Sequence, residues 1–327
     1  MKTENNPAFT KRVYQDFNPV SRHRKTRIIY EPNRLMRQVH AKFLKEFGGF
    51  LPRGLPITAC IPGASPKMNL EPHRRNRYFY LTDIHSAYSG VNIYRLASLL
   101  CSLRPDLKLF RGDKLPHEPL DLFRAEDGMV SFLRSYFFAE EGGLATGGPA
   151  APFLFNIYCA NFLDVPLMEL CRKWELTYTR YLDDLTFSAA DGNPIGDKKR
   201  EAIRAVVISA GFEISHRKSQ VLDLKKGTIS ITGIGLEYGG RLFMPRAYTN
   251  TLRGALYRVV RRRSDDDERV RVRGMYSAFL SLIDLRSANC TEKKIIELAG
   301  RAFPPKPKKP GYTPKTSSRR KRRRQLE

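Results

Sequence analysis

Asn33–Phe47, "NRLMRQVHAKFLKEF", sets Leu35, Met36, Val39, Phe43, Leu44 and Phe47 at the three-and-four spacing of one helical face. Asn33 follows Pro32 and stands where an N-cap belongs. Ahead of it, polar and basic positions dominate and read as a basic arm, and residues 51–76, with their Pro, Gly and Ser, predict a loop. "YFYLTDI", residues 78–84, is an aromatic and aliphatic run that predicts a buried strand carrying Asp83. Helical periodicity returns over 92–103 and 128–138, on either side of a Pro-rich, charged insertion at about 104–128.

A Gly/Pro/Ala loop, "EEGGLATGGPAAP" at 140–152, leads into the apolar "FLFNIYCANFLDVPLMELCRKW", which predicts a buried helix. "TRYLDDLTFS", residues 179–188, then sets Asp183 and Asp184 between two β-rich runs, predicting a hairpin with paired acids at its tip. A basic amphipathic helix over 196–210 follows, then the strands of "FEISHRKSQVLDL" and of "TISITGIGLEY" to "RLFMP". Residues 248–302 read as a helical subdomain, and no internal repeat interrupts the order.

Charge narrows the function classes. The 327 residues hold 58 Lys+Arg against 33 Asp+Glu, a formal +25, which favours a polyanionic partner through phosphate contacts and counterion release. The last 24 residues contribute +9 of this, from ten Lys/Arg and one acid, so +16 remains on the rest. No stretch reaches the roughly 18 apolar residues of a membrane span, so nucleic acid is favoured over membrane. Five cysteines without a C-x-x-C pair imply neither disulfides nor zinc, and the expected compartment is the reducing cytoplasm.

Asp183 and Asp184 repel each other unless a cation sits between them. Asp83, at the end of its own apolar strand, is the best third carboxylate. If those strands share one sheet, three acids converge on one edge, the arrangement for two divalent ions about 3.5–4 Å apart. A polar hairpin turn is the plainer reading of an isolated Asp-Asp pair.

The surrounding residues carry a specific likeness. "YLDDLTFS" resembles the Tyr-x-Asp-Asp hairpin of reverse transcriptases, and "DIHSAY" resembles their first palm motif, with an aromatic, here Tyr88, five positions after the metal-binding Asp. "GLATGGPAAPFLFN" is similar to their Gly/Pro loop at Gly143, Leu144, Gly147, Pro149, Pro152 and Asn156; "GFEISHRKSQV" matches the next motif with Gly211 and Lys218. "NLEPH", Asn69–His73, and "DDLTFS" followed by "TG" resemble the bacterial retron type. Leu182 and Thr146 depart from the pattern, standing where an Ala and a Gln are usual.

This resemblance implies an α+β fold: a right-hand polymerase palm of antiparallel sheet and helices, with fingers and a small helical thumb. The implied boundaries are an N-terminal arm and fingers at 1–77, a palm with part of the fingers at 78–245, a thumb at 246–303 and a basic, unstructured tail at 304–327. It implies that Asp83, Asp183, Asp184 and the backbone of Ile84 hold two Mg²⁺ ions, with Mn²⁺ as an alternative. Lys25, Arg27, Ser86, Ala87, Tyr88, Thr146, Gly147 and Lys218 would serve the deoxynucleoside triphosphate: Tyr88 excluding a 2′-hydroxyl, Lys218 acting on the leaving pyrophosphate, Gly147 admitting the base pair. Asn69, His73, Arg258, Arg261, Arg262 and Arg263 are the RNA-binding candidates.

The implied reaction is RNA-directed synthesis of a short single-stranded DNA from a structured non-coding RNA, primed from an RNA 2′-hydroxyl. It would serve an anti-phage system with a separate effector protein. Another bacterial defence reverse transcriptase, or one of the group II intron kind, is the alternative within the class. An inactive RNA-binding module is the alternative outside it.

Overall fold

A computed structural model describes residues 9–17, 24–103, 126–283, 285–286 and 288–304. The chain divides into two compact units with the boundary between Phe243 and Met244. The predicted insertion at 104–128 falls outside the described residues as far as 125, as does the tail from 305.

The first unit opens with an element the sequence did not reveal. β1 (Phe9–Phe17) and β2 (Arg24–Pro32) form an antiparallel hairpin where a basic arm was expected. Its apolar residues Val13, Tyr14 and Ile28 are exposed, so neither strand shows the in-out alternation that marks a half-buried strand. α1 (Arg34–Phe47) begins as predicted: the Asn33 side chain accepts from the Met36 N–H at 2.9 Å, and Met36, Val39, Phe43 and Phe47 are buried. The expected loop at 51–76 contains a short helix, α2 (Pro66–Leu70), followed directly by a 3₁₀ turn at Glu71–His73.

The palm-like sheet is wholly antiparallel. β3 (Tyr78–His85) lies at its centre, α3 (Ile93–Leu103) and α4 (Glu126–Tyr136) follow, and β4 (Thr177–Tyr181) and β5 (Asp184–Ala189) form the acidic hairpin. β5 pairs with β3 in the register Asp83↔Asp184, and β4 lies outside β5. Beyond α7 (Asp197–Ser209), β6 (Glu213–Ile214) and β7 (Gln220–Asp223) pair along the other side of β3. β8 (Ile229–Ile231), β9 (Ile234–Leu236) and β10 (Leu242–Phe243) form a separate small sheet.

Between α4 and β4 runs one long apolar helix: α5 (Ala151–Cys159), a π-helical stretch Ala160–Asp164, and α6 (Val165–Lys173). Pro166 explains the break, because it lacks an N–H and its ring crowds the carbonyl four residues back. Ala151–Lys173 is long and apolar enough to cross a membrane, contrary to the expectation that no stretch comes close. Most of its apolar stretch is buried inside the protein, as in a core helix. Phe155, Tyr158 and Leu163 from it meet Phe187, Ile203 and Phe212 in the main core.

The second unit packs α8 (Arg246–Val260), α9 (Asp266–Leu280) and α10 (Cys290–Ala302) around Leu252, Leu256, Phe279 and Ile295. The "SDDDE" cluster is the start of α9: Asp265 caps the Glu268 N–H and three acids occupy the first turn, where the helix dipole favours them. Asn289 and Glu292 form a capping box on α10.

Candidate active site

Asp83 leaves β3 beside Asp184 on β5, and Asp183 forms the turn between β4 and β5. One carboxylate oxygen from each lies within 4.8 Å of the others. The Ile84 N–H donates to the Asp183 carbonyl at 2.9 Å, and the Ser215 N–H donates to the Asp83 carbonyl at 2.7 Å, so the backbone of β3 is tied on both sides at the acids. Lys218 Nζ donates to Asp83 Oδ1 at 2.6 Å.

Crowding by the protein around the Asp184 carboxyl, with the charges of Asp183 and Asp83 beside it, pushes its pKa up to about 6, although its edge meets solvent. Partial burial and Asp83 push Asp183 upward as well, while the charges of Lys218 and Arg27 act the other way. Three hard oxygen donors short of positive charge fit a divalent cation of the Mg²⁺ or Mn²⁺ kind.

Tyr88 follows on the turn after β3, its ring stacked on Phe155 at 5.2 Å; burial, then Cys60 and Asp183, raise its phenol above the ordinary range. Ser86, in that turn, adopts a left-handed φ of 48° and is exposed, whereas Ala87 is buried. Arg27 sits on β2 opposite Tyr14. Lys25 is on the same strand, its side chain outside the described residues.

Thr146 and Gly147 have a role the sequence did not suggest. The Thr146 hydroxyl donates to the Ile28 carbonyl at 2.8 Å, and the Tyr30 N–H donates to the Thr146 carbonyl at 2.6 Å. A Cβ on Gly147 would meet Ile29 Cγ2 at 2.5 Å and the Tyr30 carbonyl oxygen at 3.1 Å, at a φ of 106°. The close approach here is to β2 of the hairpin. Lys11 and Tyr30 add a second tether by donating to Glu141 at 2.5 and 2.7 Å.

Asn69 and His73 correct the RNA-contact expectation: both are 0% exposed. Asn76 donates to Ser188 Oγ (2.6 Å), His73 bridges Ser188 Oγ (2.6 Å) and Thr179 Oγ1 (2.8 Å), and Thr179 donates to the Asn69 carbonyl (3.0 Å). The chain runs in one direction only. Thr179 spends its proton on Asn69, so His73 Nε2 donates to Thr179, and with the ring neutral Nδ1 accepts from Ser188. Burial pulls His73 down to about 3, in keeping with this assignment. Residues 69–76 therefore brace β4 and β5 from behind.

In the second unit, Arg258 donates to Glu268 at 2.9 and 2.6 Å. Arg261, Arg262 and Arg263 are exposed at the end of α8, with Arg262 at a φ of 53°.

One residue escaped the sequence reading altogether. Arg180, on β4, is 0% exposed and forms a two-nitrogen fork to Asp164, itself 0% exposed, through Nε (2.9 Å) and Nη2 (2.7 Å). The available signal was Asp164, a lone acid in a run of apolar helix, because a buried carboxylate demands a buried cation.

A family model described as "Reverse transcriptase (RNA-dependent DNA polymerase)" matches residues 19–236. The chain belongs to the reverse transcriptase family. Curated relatives include the retron Mx65 reverse transcriptase of Myxococcus xanthus, 25% identical over 85% of this chain and 63% of that protein. Another is the retron Ec83 reverse transcriptase of Escherichia coli, 24% identical over 58% of this chain and 57% of that protein. The chain thus spans about three-fifths of the length of these relatives. Among solved structures, apo telomerase from Candida tropicalis aligns with a TM-score of 0.47 at 12% identity, covering 77% of this chain and 53% of that one. The likeness to retron-type reverse transcriptases read from the motifs is met by these relatives.

Proposed function

We propose that this chain is an RNA-directed DNA polymerase of the retron type. It copies a structured non-coding RNA into a short single-stranded DNA, starting from a 2′-hydroxyl of that RNA, in an anti-phage role with a separate effector. The observation that carries the polymerase reading is the convergence of Asp83, Asp183 and Asp184, the first and last set by the register of one antiparallel sheet and Asp183 by the turn between β4 and β5. In this reading the three acids and the Ile84 backbone hold two Mg²⁺ ions. Bound there, the ions supply activation of the attacking hydroxyl and charge neutralisation at the leaving pyrophosphate.

The chain's own residues do the rest. Tyr88, backed by Phe155, closes the space beneath the sugar C2′ and so selects deoxynucleotides. Arg27, whose charge is felt at Asp183, and Lys25 hold the triphosphate, with the turn at Ser86 and Ala87 below it. Lys218 delivers a proton or positive charge to the pyrophosphate. Residues 1–77 and the hairpin act as arm and fingers, 78–245 as palm, and 246–303 as a thumb whose Arg261, Arg262 and Arg263 meet phosphates. The formal +25 supports a nucleic-acid substrate throughout.

Sequencing the nucleic acid that copurifies with the chain tests the retron part. A DNA joined to RNA through a 2′-linkage is the expected finding, and cellular RNA without attached DNA would overturn it.

A further inference from the structure

The turn that carries Asp183 is strained. Register Tyr181↔Asp184 leaves Leu182 and Asp183 as a two-residue loop, and Leu182 takes a φ of 55°. Such turns prefer Gly at that position, and a γ-branched residue there is disfavoured on its own. Something must hold it.

Arg180 reaches that point. Its Nη1 donates to the Leu182 carbonyl at 3.1 Å and to Asn156 Oδ1 at 2.9 Å, while Nε and Nη2 grip Asp164. The anchor is itself fixed. Asp164 closes the π-helical stretch ahead of Pro166 and accepts from the Tyr178 hydroxyl at 2.7 Å; Asn156 donates to the Ala59 carbonyl at 3.0 Å. The Arg180 backbone is pinned too, its N–H donating to Pro56 and its carbonyl accepting from Thr58.

We infer that Arg180 is a positioning residue that clamps Leu182 in its left-handed conformation and thereby aims Asp183 and Asp184 at the metal site. The inference rests on the polymerase reading for its consequence in catalysis. A guanidinium suits this task because its planar fork serves the carboxylate on one edge while Nη1 projects toward the turn. A lysine ammonium on a flexible stem cannot span both. Burial disfavours the charge on Arg180, and the adjacent Asp164 carboxylate outweighs that and keeps the guanidinium protonated.

Two variants separate positioning from plain structural support, with Mn²⁺ binding to the free protein followed by electron paramagnetic resonance and single-turnover deoxynucleotide incorporation followed on a primed RNA. Arg180→Lys is expected to weaken Mn²⁺ binding at least fivefold and to slow incorporation at least tenfold, with the KM for template unchanged. The double variant Arg180→Met/Asp164→Leu replaces a buried ion pair with apolar residues, a change that folds often tolerate. It is expected to keep its melting midpoint near the parent's and still bind Mn²⁺ at least fivefold more weakly. Val207→Ala, a core variant on α7, is the control for lost stability and should leave Mn²⁺ affinity unchanged.

A folded double variant, or Arg180→Lys, with parental Mn²⁺ affinity and rate would overturn the inference. So would an equal loss of Mn²⁺ affinity in Val207→Ala. Failure of the parent protein to incorporate deoxynucleotides overturns the polymerase reading instead, and leaves the Mn²⁺ comparison to judge the clamp.

Discussion

Lys218 and Asp83 form an ion pair at 2.6 Å, the lysine half-exposed and the aspartate buried, at the centre of the acidic cluster. The lysine neutralises a carboxylate that the proposed metal also needs. Two effects of opposite sign follow for Lys218→Met. Mn²⁺ binding to the free protein should tighten about three- to tenfold, because roughly 1 kcal/mol of competing charge is removed at a partly exposed site. Single-turnover incorporation should slow by about 10²-fold, the usual scale for losing a general acid. Tighter Mn²⁺ binding together with an unchanged rate would leave Lys218 as a counter-ion alone.

Tyr88 rests on Phe155, and in the proposed reading it closes the space beneath a bound sugar. Tyr88→Ala should lower the preference for deoxynucleotides over ribonucleotides by about 10- to 100-fold, the range a steric contact in a pocket supplies. The ratio of kcat/KM for the two nucleotide classes checks it.

His73 contributes a pH dependence to stability. Its folded pKa is depressed to about 3 from an ordinary 6.5, so the folded state holds it neutral while the unfolded chain takes up a proton. The stabilisation is complete above pH 6.5 and is lost as pH falls from 6.5 toward 3, by about 1.4 kcal/mol per pH unit. Urea unfolding between pH 7 and 4.5 should therefore show a steeper loss of stability for the parent than for His73→Gln. Equal slopes would mean that His73 is not held neutral.

Gly147 tests how the hairpin is attached. Gly147→Ala drives a Cβ into Ile29 and the Tyr30 carbonyl at a conformation that Ala resists, at a cost of about 1–3 kcal/mol. The variant should loosen the Thr146 bonds to β2, and limited trypsin digestion should cut within β1 or β2 several-fold faster than in the parent.

The elements that sequence reveals are those whose signal is local. α1 shows its period and its Asn33 cap, and β3, β4 and β5 are runs rich in aromatic, aliphatic and β-branched residues around their acids. The β1–β2 hairpin was hidden because its apolar side chains face solvent among charges. His73, set between Pro72 and two arginines, reads as a surface residue; its burial comes from Ser188 and Thr179, more than a hundred positions away. Arg180 is the same case at shorter range, a basic residue made internal by a carboxylate on another element. The acids of the site were legible and their supports were not, because supports are defined by partners that only the folded chain brings together.

Extension of a primed RNA template with Mg²⁺ and the four deoxynucleoside triphosphates, by the parent and by Asp183→Asn, tests the central claim most directly. The account predicts template-length DNA from the parent and a loss of at least 10³-fold in rate on removing one metal-ligating charge. Absence of DNA synthesis by the parent, or equal synthesis by Asp183→Asn, would contradict it.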